Sequence, residues 1–184
     1  MKLPKEILSI EGSTSESELE VLADLASKVV FDRNIVEIGS HKGRSLCALA
    51  YGANDTGNSV YSIDPHLSFV GAMGTFFCRL DMRDKYENIC RSHVGELVFC
   101  VSLPSEKAWQ CFSPSSVGLL FIDGDHNKAK EDFYLWKHTL VRGATVAFHD
   151  AHFGPVIEAI EDATSWGHLE EVGREGLLAW FRST

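Results

Sequence analysis

The 184-residue chain is 45% apolar and 23% charged, the balance of a globular protein with enough material to fill one core. No run approaches the roughly 20 consecutive apolar residues of a membrane helix, and no long apolar stretch follows the N-terminal lysines, so neither a membrane span nor a secretory signal is expected. A net charge of −9 argues against a nucleic-acid partner, which calls for a basic face.

Ser15 and Glu18 have the spacing of a capping box, and Leu19, Leu22, Leu25, Ala26 and Val29 recur behind them at helical intervals. Together they predict an amphipathic first helix. The β-branched run Asn34 to Gly39 predicts a buried strand, Ser45 to Tyr51 a helix, and Ser59 to Asp64 a second strand stopped by Pro65. Between His66 and His93, Asp84 to Cys90 reads as helix, whereas Ser68 to Phe77 mixes aromatics with two glycines, as a cover over a site would. The basic residues between Cys78 and Lys85 are interleaved with acids and read as a solvated helix face.

Leu97 to Val101 and Val117 to Ile122 are the third and fourth expected strands. Lys128 to Leu140 reads as a helix ended by Arg142-Gly143, followed by a fifth strand from Ala144 to Phe148. Gly154-Pro155 opens a helix through Ala163. Two closing strands, Leu169 to Val172 and Leu177 to Phe181, are joined by Gly173-Arg174-Glu175-Gly176, a hairpin signal. Strands alternating with helices predict an α/β fold: a Rossmann-like, doubly wound, mostly parallel sheet with a C-terminal antiparallel hairpin at one edge. Residues 1–184 are expected to form a single domain, with a helical segment over 1–30 and an acceptor-site cover within 66–93.

Cys47, Cys78, Cys90, Cys100 and Cys111 are odd in number and form no CxxC pair, so buried free thiols in a reducing cytosol are expected. Trp109, Trp136, Trp166 and Trp180 are read as core. His41, His66, His152 and His168 lack chemical company in the sequence.

Chemistry accumulates where the expected strands end, the edge at which open parallel sheets bind ligands. The first ends in Glu37-Ile38-Gly39-Ser40-His41-Lys42-Gly43-Arg44-Ser45, whose glycines let a ligand approach the backbone ahead of a helix N-terminus. Its glycine spacing is not that of a dinucleotide fingerprint. Asp64 ends the second strand, where an acid can accept both hydroxyls of an adenosine ribose. The third ends at Ser102, the fourth at Asp123-Gly124-Asp125-His126 and the fifth at His149-Asp150. Carboxylates at neighbouring strand ends repel one another, and a hard divalent cation such as Mg²⁺ would compensate, with His149 as a further ligand. Asp125 also suits the N-cap of the following helix. His126 is the candidate general base, because an imidazole titrates near neutral pH.

These strings, Ile10-Glu11-Gly12, Val36 to Ser45, Tyr61 to Asp64, Phe121 to His126 and Phe148 to Asp150, resemble the class I S-adenosylmethionine-dependent methyltransferases of the macrocin O-methyltransferase and cephalosporin hydroxylase-like group. The resemblance runs from about Ile7 to Arg182. It implies that Glu37 and the Gly39 to Ser45 loop cradle the methionine part of the cofactor, that Asp64 holds the ribose, and that Ser102 and Leu103 lie near the adenine. The expected cofactor-binding set is Glu37, Gly39, Ser40, Gly43, Ser45, Asp64, Ser102, Leu103 and Asp125. The expected metal set is Asp123, Asp150 and His149, with His126 as the base that deprotonates an acceptor hydroxyl. The expected activity is O-methylation of a small hydroxylated molecule, in a cytoplasmic protein whose oligomeric state is open. Two alternatives remain at this point: an oxidoreductase of the hydroxylase-like branch, and a non-catalytic module that binds S-adenosylmethionine.

Overall fold

The computed structural model describes residues 1–70, 76–77 and 82–184. Two short leading elements, α1 (Lys5–Leu8) and α2 (Glu16–Ser27), precede β1 (Asn34–Ile38), α3 (Arg44–Ala53) and β2 (Val60–Ile63). A two-residue pair, β3 (Phe69–Val70) and β4 (Phe76–Phe77), is followed by α4 (Met82–Arg91), β5 (Val98–Val101) and α5 (Ser105–Ala108). Then come β6 (Val117–Ile122), α6 (Ala129–Trp136), β7 (Leu140–Phe148), α7 (Gly154–Ser165), β8 (Leu169–Glu175) and β9 (Leu178–Ser183).

Among the described residues, the main sheet has seven strands in the order β5-β2-β1-β6-β7-β9-β8. Its first five strands are parallel, and β9 and β8 add an antiparallel hairpin at one edge. The expected α/β doubly wound class is the observed one. The chain runs outward from β1 through β2 to β5, then returns to start β6 on β1's other side, so the strand order switches between β1 and β6.

Strand periodicity sends alternate residues to opposite faces. Ile35, Leu119 and Phe121 face the layer of α1, α2 and α3, packing with Ile7, Leu19, Leu22, Leu46 and Leu49. Val36, Ile38, Leu120, Val146 and Phe148 face the opposite layer, with Phe133 and Trp136 of α6 and Ile160 of α7. The predicted capping box closes: the Ser15 hydroxyl accepts from the Glu18 amide, and the Glu18 carboxylate accepts from the Ser15 amide. Among the described residues, no helix is long and apolar enough to cross a membrane.

Several expectations are corrected. The helix after β6 ends at Trp136 in a 3-10 turn (Lys137–Thr139), and Arg142-Gly143 lies inside β7. The reason is a bulge: Val117 pairs with Leu140 but Leu119 with Thr145, so the extra residues bend out while the ladder continues. The hairpin turn is tighter than expected, since Glu175 pairs with Leu178 and Gly173 is within β8. Trp166 is exposed, whereas Trp136 is fully buried. Of the cysteines, Cys47 is buried but Cys90 and Cys111 are exposed. Lys85 is fully buried, not on a solvated face. The expected cover, Ser68 to Phe77, lies largely outside the described residues.

Two features of this framework are testable. Gly52 brings α3 against α2 so closely that a methyl group there would strike the Ala23 carbonyl. Ala is the better helix former by about 1 kcal/mol, but a clash with backbone cannot be relieved by a rotamer change. Gly52→Ala should therefore destabilise the protein by about 1–3 kcal/mol, read as a Tm lower by several degrees.

Asp132, on α6, is buried and accepts a hydrogen bond from the Ser105 hydroxyl, which in turn accepts from Trp136 Nε1 at 3.0 Å. Burial is the main cause that raises its carboxyl to about 6 from 3.8, the Ser105 contact opposing it. Folded Asp132 thus holds its proton more tightly than the unfolded chain does. Its stabilising contribution is full below pH 3.8 and lost as pH rises through about 6. Asp132→Asn keeps the acceptor oxygen without the charge. Urea unfolding should find it close to wild type at pH 4 and about 2 kcal/mol more stable at pH 8.

Candidate active site at the carboxyl edge of the sheet

Backbone hydrogen bonds stitch the ends of neighbouring parallel strands into one row. The Gly39 amide donates to Ile63 at 2.9 Å, Asp64 to Val101 at 3.2 Å, Asp123 to Ile38 at 2.9 Å and His149 to Ile122 at 3.1 Å. The row includes Gly39, Asp64, Asp123 and His149, each a strand-end group singled out in the sequence. At its centre Gly39 has φ 81°, and a Cβ there would lie 2.5 Å from the Asp123 carbonyl oxygen. Only glycine lets the first loop cross this close to the fourth strand end.

That loop folds back onto Asp64. One carboxylate oxygen of Asp64 accepts from the Ser40 and His41 amides at 3.2 and 3.1 Å, and the other from the His66 amide at 2.8 Å. The first oxygen is committed to the loop, while the second keeps an open acceptor direction. Gly43, with φ 86°, precedes α3, whose first turn carries the buried Ser45. Glu37, on β1 beneath the loop, is fully buried, and neither carboxylate oxygen has a hydrogen-bond partner. Burial is the main cause that pushes its carboxyl up to about 8; Asp123 and Asp64 add to this, while Ser45 and Lys85 oppose it. Ser102 and Leu103 are exposed in a tight turn after β5, the Leu103 amide donating to Val101 at 2.9 Å.

The Ser40 side chain turns inward to Ser62 Oγ at 2.5 Å and Lys85 Nζ at 2.6 Å. Lys85 also reaches His66 Nε2 at 3.2 Å. Neither Lys85 nor His66 was legible as a site residue. His66 acquires its company only when α4 is folded over the end of β2.

On the other side of Gly39, His126 Nε2 lies 3.0 Å from Asp150 Oδ2. That contact with Asp150 is the main cause that raises the His126 imidazole, with burial opposing. Contacts from His126 and then His149 hold Asp150 well below the usual carboxylate range. Donor atoms of Asp123, His126 and Asp150 all fall within 4.8 Å of one another, a spacing that could hold a metal ion. The expected ligand His149 stands outside this group. It is buried, with Nδ1 3.2 Å from Asp123 and 3.5 Å from Asp150 and Nε2 3.7 Å from Glu18. Burial pulls its imidazole down, but the two aspartates outweigh that and push it up to about 11. Asp125 accepts from the Asn127 amide at 3.1 Å, the N-cap of a 3-10 turn (His126–Lys128), so the capping role read for it is observed. A cavity of about 430 Å³ lies between α7 and the hairpin, lined by Ala151, His152, Ile157, Arg174 and Leu177 among others, and none of Asp123, His126 or Asp150 lines it.

Glu18 was read only as half of a capping box, yet it is 2% exposed and joins three elements. Its carboxylate accepts from the Ser15 amide at 2.7 Å and the Leu177 amide of the hairpin turn at 2.5 Å, while facing His149. Glu18→Ala would leave two amides without their acceptor and remove the carboxylate that faces the His149 imidazole. Urea unfolding should find it destabilised by about 2–4 kcal/mol, well beyond the loss of an ordinary helix cap.

No curated protein matches the chain in sequence. Solved structures do match in fold. An O-methyltransferase from Bacillus cereus in complex with SAH shares 16% identity at a TM-score of 0.69, over 97% of this chain and 90% of its own. The O-methyltransferase TomG from Streptomyces achromogenes, involved in tomaymycin synthesis and in complex with SAM, shares 14% at 0.69, over 94% and 82%. A SAM-dependent O-methyltransferase from Thermotoga maritima shares 12% at 0.69, over 98% and 72%. The family described as methyltransferase domain matches residues 36–151, from the first strand to just beyond Asp150. That span takes in the whole row of strand ends, and the chain belongs to the methyltransferase domain family.

Proposed function

We propose that this methyltransferase uses S-adenosylmethionine to methylate a hydroxyl oxygen of a small molecule. The observation that carries the reading is the meeting, on one sheet edge, of a cradle suited to the cofactor and a histidine–aspartate pair suited to proton removal. The first half fits the cofactor on three counts. Glu37 offers a buried carboxyl with no partner of its own, suited to a donor such as the methionine amino group. Asp64 keeps an acceptor direction for a ribose hydroxyl, and the α3 N-terminus favours a carboxylate. The named activities of the similar structures support the same reading.

S-adenosylmethionine supplies an electrophilic methyl carbon when bound. The chain's own residues have the task of making the acceptor oxygen nucleophilic. His126 accepts the hydroxyl proton, and Asp150 at 3.0 Å orients the ring and stabilises the imidazolium that forms. Asp123 and Asp150, held from below by His149, keep that end of the site negative.

A second reading has its own observation. The Asp123, His126 and Asp150 donors within 4.8 Å would hold a hard divalent cation such as Mg²⁺, which would supply Lewis acidity. His126 would then be a ligand instead of the base.

Calorimetric titration with S-adenosylhomocysteine should give micromolar affinity, about −8 kcal/mol. Asp64→Ala should weaken it at least about tenfold, by losing both a ligand contact and the anchor of the loop. His126→Ala should bind S-adenosylhomocysteine normally and abolish transfer to a panel of hydroxylated acceptors. Transfer that survives EDTA selects the base reading; transfer lost in EDTA and restored by Mg²⁺ or Mn²⁺ selects the metal reading. Failure of the wild-type protein to bind S-adenosylhomocysteine would overturn the cofactor assignment.

A further inference from the structure

We infer that Lys85 is a positioning residue for the cofactor site: its buried ammonium ties the β1 loop to the β2 loop, so that docking of α4 sets the shape of the cradle. The inference rests on the cofactor reading above. Lys85 is 1% exposed, and an ammonium removed from water is among the costliest groups a protein can bury. It is tolerated here because each of its protons has an acceptor. Nζ lies 2.6 Å from Ser40 Oγ, 3.3 Å from Ser62 Oγ and 3.2 Å from His66 Nε2, with Asp64 Oδ2 at 3.9 Å. Ser40 belongs to the β1 loop, Ser62 to β2, and Asp64 and His66 to the turn that follows it.

The chemistry of the contacts sets their direction. An ammonium only donates, so His66 Nε2 accepts and the ring proton is on Nδ1, which faces Asp64 Oδ1 at 3.4 Å. Burial lowers the His66 imidazole, which favours this neutral tautomer. Lys85 therefore faces Asp64 directly, while His66 Nδ1 lies near the second Asp64 oxygen without closing a hydrogen bond to it. Asp64 in turn holds the Ser40 and His41 amides, closing a ring from α4 through the β2 turn and back to the loop.

A second contact comes from the same helix face. Asn88, three residues on and hence beside Lys85, donates from its amide to the Lys42 carbonyl at 2.9 Å. The Lys85 stem passes beneath Gly43, where an added Cβ would lie 3.4 Å from its Cγ. One face of α4 thus holds Ser40, Lys42 and Gly43, although α4 contributes nothing to the row of strand ends. Because Lys85 sits below the loop, it acts through Ser40, His66 and Asp64.

Lys85→Met is the discriminating variant, because it keeps the stem and removes the charge. A role confined to fold stability predicts a lower Tm. A positioning role predicts a Tm close to wild type, because the desolvation that a buried methionine avoids offsets the contacts that Ser40, Ser62, His66 and Asp64 lose. The expected result is a preserved Tm with S-adenosylhomocysteine affinity weakened at least about tenfold. In the free protein, hydrogen exchange at the Ser40 and His41 amides should accelerate while the α6 amides stay protected, and the ¹⁵N shifts of the His66 ring should change. Should Lys85→Met fold poorly, Asn88→Ala supplies the same test through a half-buried residue, with affinity weakened a few-fold and Tm unchanged. Wild-type affinity and loop exchange in both variants would overturn the inference, as would a Tm loss with exchange raised throughout the chain. A wild-type protein that does not bind S-adenosylhomocysteine would instead sink the cofactor reading. Exchange at Ser40 and His41 in the free protein would then still decide whether Lys85 orders the loop.

Discussion

His149 lies wholly inside the protein, with Glu18 facing one ring nitrogen and Asp123 and Asp150 facing the other. An imidazole in that position is surrounded by more negative charge than it can neutralise alone, so its neighbours must be fixed by other donors. Glu18 is fixed by the amides of Ser15 and Leu177, and Asp150 by contact with His126. The arrangement links α2, near the start of the chain, to the hairpin turn near its end, with the ends of β6 and β7 between them. The edge of the sheet depends on this joint, because the carboxylates around it would otherwise repel one another.

The two halves of the edge solve the problem of buried charge differently. Around Asp64 the negative charge is met by three backbone amides and by the ammonium of Lys85, all of them fixed donors. Around Asp150 it is met by two imidazoles, groups able to take up and release a proton. A site that binds a charged cofactor benefits from the first kind of environment and one that moves protons from the second. Gly39 forms the boundary, where the β1 loop crosses close over the β6 end.

The outline of the fold was legible because periodicity and punctuation reported it directly. The short apolar runs Asn34–Ile38 and Val117–Ile122, the Ser15–Glu18 box and Pro65 each act within a few residues, so the chain states them locally. The breaks that were misplaced, at Arg142-Gly143 and at Gly173, are glycines inside strands. A glycine marks a bulge and a turn in the same way, and only the pairing of Leu119 with Thr145 or of Glu175 with Leu178 distinguishes them.

The same division applies to the site. Asp64, Asp123, His126 and Asp150 were identifiable from sequence because each ends a strand, and parallel strands place their ends on one edge whatever the details of packing. Lys85, His66 and the second role of Glu18 were not, since Lys85 and His66 meet across 19 positions and Glu18 and Leu177 across 159, and nothing in the local pattern separates a buried lysine from a solvated one. His149 was identified together with Asp123 and Asp150, and its ring does lie against both; the contact with Glu18 on its other nitrogen, 131 positions away, was not legible. The sequence by itself determined the order of elements and the residues delivered to the edge, because those follow from local hydrogen bonding and period. Tertiary structure alone decided which charges face one another there, because that depends on how α2, α4 and the hairpin pack across the sheet.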